Sequence, residues 1–256
     1  MSQSLLRALG LLDLVAGGTA TLGELAEGTG THKSTVLRLL RVLEDAGYVH
    51  HDEQHRYVLG SHLFRLAQQA LDSFDVRAVA APRLRRLRDD VGQTVHLAAF
   101  DGSVATYVDK LEPRSAAVRM ASRIGNTAAL HCTAVGKVFL ADLRPPDRAE
   151  LVATLEFPRL TTRTLTGPEE LLAEVATVAE AGWAQDHAEN ETFVNCVGAP
   201  VRGADGRVLA AVSISVPDVL LPHEAVLDLV PALLSATADI SRSCGFLDHP
   251  DEKENS

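Results

Sequence analysis

The first sixty residues carry apolar side chains at helical spacing, in segments separated by glycines. In the first segment the apolar positions recur every three or four residues: Leu5, Leu9, Leu12 and Ala16. This spacing predicts a helix that ends at Gly17-Gly18. A capping box, Thr21-Leu22-Gly23-Glu24, then predicts a short second helix that ends at about Glu27.

A third helical segment follows the break at residues 28–30, and Thr31 is a suitable N-cap for it. Its apolar residues fall at i, i+3, i+4 and i+7: Val36, Leu39, Leu40 and Leu43. At 100° per residue these share one face of the helix, and Ser34, Arg38 and Arg41 lie roughly opposite. The segment therefore predicts an amphipathic helix with a hydroxyl and guanidinium face.

Two short strand-like runs, at residues 48–50 and 56–59, follow the third helix and flank the loop at residues 52–54. This order of elements predicts a winged helix-turn-helix over residues 1–60, with the third helix in the major groove of double-stranded DNA. The candidate DNA contacts are Lys33, Ser34, Thr35 and Arg38 toward bases, and Arg41 and Arg56 toward the backbone. The acidic pair Asp52-Glu53 in the loop would repel the phosphates of the DNA backbone. A small helical subdomain with a solvated arginine face is the alternative interpretation.

Residues 61–91 continue as linker helices. Apolar stripes run through residues 63–71 and, after a possible cap at Ser73, through residues 76–91. Pro82 either bends the second segment or begins a new helix. The stripe at 61–72 is either intramolecular core or a dimer seam, and the seam is favoured because a two-fold protein must hold two recognition helices about 34 Å apart on DNA.

Beyond residue 92 the pattern changes to short strands mixed with helices. Thr94–Phe100 alternates, Asp101-Gly102 is a hairpin signal, and a strand-like run at 104–108 returns. Two further runs, 196–201 and 207–216, flank a turn, while helical stretches cover about 134–143, 168–181 and 223–243. This irregular order predicts an α+β domain with a mainly antiparallel sheet over residues 92–247. The polar residues 248–256 predict a disordered tail.

The net charge of −10 argues against a protein that coats nucleic acid through bulk positive charge. The charge is unevenly placed, however: residues 1–60 carry −2, residues 61–90 carry +2, and the remainder carries −10. A nearly neutral N-terminal domain is compatible with specific DNA binding. Its affinity is expected to be modest and strongly salt-dependent, so that two copies must pair.

Other protein classes are excluded by the composition. No apolar stretch approaches the ~20 residues of a membrane helix, and the N-terminus lacks the features of a signal peptide. The three cysteines are an odd number and widely spaced, which argues against a disulfide framework: Cys132, Cys196 and Cys244. These features predict a reduced, cytoplasmic protein with no membrane partner.

Two segments of the acidic region carry candidate binding chemistry. Thr133 caps a helix whose first amides, at residues 134–136, can hold a carboxylate, although an ordinary buried helix start has the same pattern. In the strand at 212–216, Ser213 and Ser215 point to one side and the apolar residues to the other. Two hydroxyls on an apolar strand suit either a pocket for a small polar ligand or a solvated sheet face.

Four stretches resemble the isocitrate lyase regulator (IclR) family of bacterial transcription factors: HKSTVLRLLRVLEDAGYV, YVLGSHLFRLA, LHCTAVGKVFLADL and GWAQDHAENETFVNCVGAPVRGADGRVLAAVSISVP. The resemblance spans about residues 4–243. It implies a winged helix, a linker helix and a GAF-like effector-binding domain, assembled as a dimer or a dimer of dimers. It also implies operator DNA as a partner and a small organic or aromatic acid as effector. A repressor without a cofactor or catalytic residues is expected.

By position, the resemblance places the effector pocket at seven residues: Ala134, Val135, Asp186, Val194, Cys196, Ser213 and Ser215. Backbone amides would take the ligand carboxylate, and the serines its other polar groups. The family usually has a glycine where this chain has Phe193, so a narrowed or redirected pocket is expected.

Two other functions stay open at this level. A metal-responsive regulator could use soft ligands that lack clustered spacing: His131, Cys132, Asp186, His187 and Cys196. A small-molecule enzyme could use Cys132 or Ser213 as nucleophile with His131 as base. No G-x-S-x-G elbow surrounds Ser213 or Ser215, which disfavours the enzyme.

Overall fold

The N-terminal part of the chain has the predicted order of elements. The structure, a computed structural model, describes residues 3–18, 21–72, 75–113 and 120–247, with the backbone alone at residues 67–72. The first elements are α1 (Gln3–Ala16), α2 (Leu22–Gly28), α3 (Lys33–Asp45), β1 (Val49–His51), β2 (Tyr57–Leu59) and α4 (Ser61–Asp72). β1 and β2 pair as an antiparallel hairpin. The winged helix-turn-helix is therefore confirmed as a fold.

Local signals explain where these helices begin. The Thr21 capping box forms on both sides: Thr21 Oγ1 accepts from Glu24 N, and Thr21 N donates to Glu24 Oε2 at 2.9 Å. The prediction of Thr31 as the cap of α3 is wrong, because His32 is the N-cap and makes no side-chain cap bond. The Thr31 hydroxyl instead donates to the Thr29 carbonyl at 3.1 Å, within the turn between α2 and α3.

One small core holds these elements together. Leu11, Leu25 and Leu40, from the three helices, are fully buried, and Tyr57 of β2 closes the cluster. Burial of each such side chain stabilises the unit by about 1.5–3 kcal/mol. Packing through one apolar face of α3 leaves its opposite face toward solvent, which is the geometry that a recognition helix requires.

The chain divides into two units, residues 1–74 and 75–256, and each has its own core. The second unit contains twelve elements within the described residues: α5 (Val76–Val91), β3 (Thr94–Phe100), β4 (Ala105–Leu111), β5 (Thr127–Ala128), α6 (Ala134–Asp142), α7 (Pro145–Thr154), α8 (Pro168–Ala181), β6 (Ala184–His187), β7 (Val194–Arg202), β8 (Val208–Pro217), α9 (His223–Leu227) and α10 (Val230–Ser243). All strand pairs in the six-stranded sheet are antiparallel, in the order β5-β4-β3-β8-β7-β6. The α+β class is confirmed.

Helices cover both faces of this sheet. Val212, Ile214 and Val216 of β8 join the core formed with α5 and α10, whereas Ala211 belongs to the core with α6, α7 and α8. Because side chains alternate along a strand, Ser213 points to the α6 side with Ala211 and Ser215. The strand alternation thus directs both hydroxyls toward the N-terminal end of α6.

The helix α5 belongs to the core of the second unit. Asp75 caps it, with Oδ1 accepting from Arg77 N at 2.9 Å, while the expected cap Ser73 lies outside the described residues. Pro82 is accommodated inside a single helix over 76–91. Its buried face, which includes Leu84, packs against the sheet, so this part of the sequence-predicted linker has a structural role in the C-terminal unit. The proposed tail at 248–256 also lies outside the described residues.

Candidate functional site

The solvent face of α3 carries most of the candidate DNA contacts. Lys33, Ser34, Arg38 and Arg41 are exposed and Thr35 is half-buried, while the opposite face packs in the core. Charged and hydroxyl groups on a helix of this kind can reach base edges and phosphates in a major groove. The structure therefore presents these five side chains along a single helix.

The hairpin after α3 presents the sixth candidate, Arg56. Asp52, which the sequence suggests would repel phosphate, has a structural role in this hairpin. Its Oδ1 accepts from Gln54 N at 2.9 Å and from Arg56 N at 2.8 Å. The carboxylate thereby orders the turn of the wing. Arg56 is exposed, and its Nη2 lies 3.5 Å from the Gly18 carbonyl oxygen at the end of α1.

The second unit contains a cavity of about 170 Å³ at the start of α6. All seven residues that the resemblance assigns to the effector pocket line it: Ala134, Val135, Asp186, Val194, Cys196, Ser213 and Ser215. They come from α6 and from strands β6, β7 and β8, which adjoin in the sheet. Residues 134 and 215 are far apart in sequence, so only the folded sheet brings them together.

The N-terminus of α6 supplies donor groups to this cavity. Thr133 Oγ1 accepts from Gly136 N at 3.1 Å and donates to the Ala129 carbonyl at 2.7 Å. The expectation of three ligand-binding amides is thus wrong for Gly136, whose N–H is used by the cap. The amides of Ala134 and Val135 remain at the positive end of the helix dipole, where an anion is stabilised.

Asp186 is a buried carboxylate in the wall of the cavity, and only 2% of it is exposed. Its Oδ1 accepts from Glu189 N at 2.7 Å and from Asn190 N at 3.3 Å. Burial raises the pKa of Asp186 to about 7, although these backbone hydrogen bonds oppose the increase. Near neutral pH this carboxyl group can therefore act either as an acceptor or as a donor.

A fully buried lysine ties α6 to the strand that carries Asp186. Lys137 Nζ donates to Glu189 Oε1 at 2.6 Å and to the Gln185 carbonyl at 3.0 Å, and it lies 3.3 Å from Glu174 Oε1. A buried ammonium group requires such partners, because desolvation of an unpaired charge costs several kcal/mol. Lys137 thus fixes the helix start relative to Asp186.

A chain of hydrogen bonds through His96 on β3 links four residues that line the cavity. Its Nε2 lies 2.8 Å from Ser122 Oγ, and its Nδ1 lies 3.3 Å from Ser215 Oγ. The Cys196 thiol donates to the same Ser215 oxygen at 3.2 Å. Burial lowers the pKa of His96 to about 4, and the nearby Lys110 ammonium adds to this, so the imidazole is neutral at pH 7.

His131 and Cys132 do not form a nucleophile and base. The Cys132 thiol is buried and lies 3.6 Å from Asn190 Oδ1, and burial raises its pKa to about 12. His131 instead contacts the Pro158 carbonyl at 3.4 Å and the Phe157 ring. A reactive cysteine needs thiolate character, which this environment suppresses.

Among the residues that the structure describes, no group of three or more His, Cys, Asp or Glu side chains could hold a metal ion.

Comparisons with known proteins agree with this architecture. The family profile described as "Bacterial transcriptional regulator IclR C-terminal" matches residues 68–242, and the "IclR helix-turn-helix domain" matches residues 4–53. The chain belongs to the IclR family of bacterial transcriptional regulators. Together the two profiles cover both units, so this membership applies to the DNA-binding fold and to the cavity domain alike.

Individual IclR-family members are similar over nearly the whole chain. The HTH-type transcriptional regulator KdgR of Escherichia coli K12 is 34% identical over 251 residues, which cover 97% of this chain and 95% of KdgR. The DNA-binding transcriptional repressor YiaJ of the same strain is 34% identical over 251 residues, covering 96% of this chain and 89% of YiaJ. A crystal structure of a putative IclR transcriptional regulator from Silicibacter sp. TM1040 superposes with a TM-score of 0.84 at 27% identity, covering 97% of this chain and 98% of that one.

Phe193, the departure from the IclR pattern, does not narrow the cavity as expected. Its side chain is 68% exposed and lies outside the set of described residues that line the cavity. The Phe193 carbonyl accepts from Asp218 N at 2.9 Å, just before β7 begins at Val194.

Within the described parts of the chain, no helix is long and apolar enough to cross a membrane.

The sequence patterns did not identify several residues of the site. His96, Tyr107 and Ser122 line the cavity, and Lys137 lies behind it. A histidine at an inward position of an alternating strand was a usable signal for His96. Ser122 lies in a loop without periodicity, and the partners of Lys137 are distant in sequence, so neither could be inferred from local pattern.

Proposed function

We propose that this protein is a DNA-binding transcriptional repressor whose affinity for its operator is controlled by a small carboxylic acid in the cavity of the C-terminal unit. The observation that carries the proposal is the cavity itself. It combines two amides of the α6 N-terminus, the hydroxyls of Ser213 and Ser215, and the buried carboxyl of Asp186. The similarity to the repressor YiaJ supports the sign of the regulation.

The proposed ligand is small because the cavity is small, and it is a carboxylic acid because the N-terminus of α6 lines the cavity. Its volume of about 170 Å³ is below the ~300–1,000 Å³ that drug-sized ligands occupy. The described residues that line it include the acidic Asp186 and Glu191 but no lysine or arginine, so an anion would depend on the α6 N-terminus. A carboxylate would then be held by the amides of Ala134 and Val135 and by the helix dipole, with Ser213 and Ser215 directed at its other polar groups.

For operator binding, we propose that α3 enters the major groove. Lys33, Ser34, Thr35 and Arg38 would face the bases, while Arg41 and the wing residue Arg56 would contact phosphates. A unit with a net charge of −2 over residues 1–60 neutralises few phosphates, so its affinity alone is weak. Binding of two half-sites by a paired protein compensates for this.

Pairing is supported by apolar surface on the N-terminal unit. Phe64 of α4 is 74% exposed, and α1 exposes Leu5, Leu6 and Leu9. Exposed apolar side chains grouped on helices of a small unit are typical of a protein interface. We propose that residues 61–72 contribute a dimer seam; a dimer of dimers would use the same seam within each pair.

Selection of bound genomic fragments tests the proposal directly. Full-length protein should enrich a small set of fragments with a common palindromic element, and fluorescence anisotropy should then show release upon addition of at least one acid from a panel such as pyruvate, malate and benzoate. The genes beside the fragments extend the panel. Failure to enrich any fragment, or enrichment without sequence preference, would contradict the proposed operator binding.

We also propose that the cavity binds its ligand without transforming it, since the protonated Cys132 thiol is a poor nucleophile. NMR of each bound acid over hours, at stoichiometric protein, should show line broadening and unchanged chemistry. Appearance of a product signal would contradict this part of the proposal.

A further inference from the structure

We propose that His96 is a specificity-determining residue of the cavity: a neutral imidazole that carries its proton on Nδ1 and thereby makes Ser215 donate its hydroxyl proton to an acceptor oxygen of the bound molecule. This inference rests on the proposed function, because it assigns a hydrogen-bond polarity to the same ligand site. It is carried by the contacts of His96, which is 2% exposed and lines the cavity.

The two contacts of the imidazole are linked by chemistry. Nε2 contacts Ser122 Oγ at 2.8 Å and Nδ1 contacts Ser215 Oγ at 3.3 Å. A neutral imidazole has one N–H donor and one acceptor nitrogen, so the two contacts must have opposite polarity. The direction of the hydrogen bond between His96 and Ser122 therefore also determines whether His96 donates to Ser215 or accepts from it.

A positive charge lies on the Nε2 side. Lys110 Nζ donates to the Ser122 carbonyl at 2.7 Å and to the Met120 carbonyl at 3.1 Å, and it pairs with Glu112 at 3.0 Å. The ammonium group disfavours an N–H that points toward it and favours a lone pair there. The Glu112 carboxylate acts in the opposite sense, but Lys110 has the larger effect on the His96 pKa. Nε2 is then the acceptor, and Ser122 Oγ donates to it.

The groups on the other side of His96 are compatible with this arrangement. On the Nδ1 side, the Cys196 thiol donates to Ser215, so Ser215 Oγ is already a hydrogen-bond acceptor there. The ring of Tyr107 packs against His96 at a centroid distance of 4.9 Å, and burial raises the pKa of the Tyr107 hydroxyl well above its ordinary value, so this group adds no charge.

The polarity at Ser215 follows from these contacts. The oxygen of Ser215 accepts from His96 Nδ1–H and from the Cys196 thiol, whose protonated form is favoured because burial raises its pKa. A hydroxyl oxygen has two lone pairs, and both are then used. The hydroxyl proton is left for the ligand, so a carbonyl or carboxylate oxygen fits this position and an ammonium group does not.

Imidazole NMR on the full-length protein tests the protonation without any ligand. Long-range ¹H–¹⁵N spectra of ¹⁵N-histidine-labelled protein would be recorded between about pH 6 and 8, with His96→Gln to assign the signal. We expect the neutral Nδ1–H pattern over the whole range. A neutral Nε2–H pattern, or conversion to imidazolium within this range, would overturn the inference.

A trio of three-carbon acids tests the consequence for binding. Pyruvate, lactate and alanine differ in the group next to the carboxylate. It is a carbonyl acceptor in pyruvate, a hydroxyl in lactate and an ammonium donor in alanine. By calorimetry, pyruvate should bind about tenfold or more tightly than alanine, and His96→Leu should reduce this ratio. Equal affinities for pyruvate and alanine in the unmodified protein would contradict the inference.

The two proposals fail in different ways. If none of the three acids, and no other acid in the panel, binds or releases the operator, the proposed ligand control is wrong, and the NMR pattern still decides the protonation of His96. If an acid releases the operator but His96 shows the Nε2–H pattern, the proposed function stands and the inference about His96 is wrong.

Discussion

At the scale of single residues, Arg38 is the most direct probe of DNA recognition. It lies on the solvent face of α3, opposite the buried Val36 and Leu40. Arg38→Ala should weaken binding to a selected operator by about 1–3 kcal/mol if the guanidinium reads a base, and should relax the sequence preference at one position. Fluorescence anisotropy against a set of single-base operator variants measures both. Unchanged affinity and preference would remove Arg38 from the reading residues.

Ser213 and Ser215 test the ligand site at the same scale. The double variant Ser213→Ala/Ser215→Ala removes both hydroxyls from the cavity and leaves the core side of β8 intact. Operator binding without ligand should stay within about twofold, while the concentration of acid needed for release should rise by about fivefold to a hundredfold, since each lost hydrogen bond contributes about 0.5–1.5 kcal/mol. A variant that responds normally would show that the ligand lies elsewhere.

Asp186 should make stability depend on pH in a direction opposite to that of most carboxylates. Its pKa is raised to about 7 in the folded protein, from an ordinary value of 3.8, chiefly by burial. The folded state therefore holds a proton that the unfolded state releases, so this contribution is present below about pH 4 and is lost as pH rises to about 7.

Urea unfolding of the protein and of Asp186→Asn between about pH 4 and 8 measures this effect. The free energy of unfolding of the unmodified protein should fall relative to that of Asp186→Asn over this range, and then level off. The exposed Asp218→Asn serves as control. A difference that does not change with pH would contradict the raised pKa of Asp186.

At the scale of elements, the start of α6 depends on a glycine. A Cβ atom at Gly136 would lie 2.6 Å from the Ala129 carbonyl oxygen and 2.6 Å from Leu130 Cα, both of them backbone atoms. Gly136→Ala should therefore displace the helix start and lower the free energy of unfolding by about 1–3 kcal/mol. Ligand-induced release of the operator should weaken with it.

A matched control is available at Gly167, the N-cap of α8, where an added Cβ meets no atom within 4 Å. Gly167→Ala should change the free energy of unfolding by less than about 1 kcal/mol. Chemical denaturation of the two variants side by side measures the contrast. Equal effects of the two substitutions would show that packing at the start of α6 is not the cause.

The elements also show what a single sequence can reveal. The capping box of α2 and the amphipathic stripe of α3 are local signals, and both elements form where they are predicted. Three elements of the C-terminal unit were missed: β5 (Thr127–Ala128), α7 (Pro145–Thr154) and β6 (Ala184–His187). The helix α7 is short and weakly periodic, and β5 and β6 are edge strands of two and four residues. The predicted final helix is two helices, α9 and α10.

How much of the site could be predicted from the sequence depended on how far apart the contacting residues are along the chain. The seven residues carried over by resemblance do line one cavity, but their roles in binding stay predictions. The hydrogen bonds of His96 to Ser122 and to Ser215 join residues 26 and 119 positions apart. Such pairs leave no periodic trace in one sequence, so only the folded sheet reveals them.

At the scale of the whole molecule, the apolar surface of α4 tests pairing. Phe64→Ser with Leu66→Ser removes two exposed apolar side chains from each copy and should weaken self-association by about tenfold to a hundredfold. Sedimentation velocity measures the change, and operator affinity should fall with it. Leu247→Ser, at a residue that is 71% exposed in the other unit, is the matched control. Unaltered self-association in the double variant would place the seam elsewhere.

The small volume of the cavity sets a detection threshold for the proposed sensor. About 170 Å³ is the space of roughly six water molecules, so the bound acid has few atoms. A ligand of about six non-hydrogen atoms, at roughly −1 kcal/mol for each atom, would bind with a Kd on the order of tens of micromolar. If the proposed function holds, such a protein would respond to a metabolite that has accumulated and would not respond to traces of it. The genes under its control would then be switched by the abundance of that metabolite.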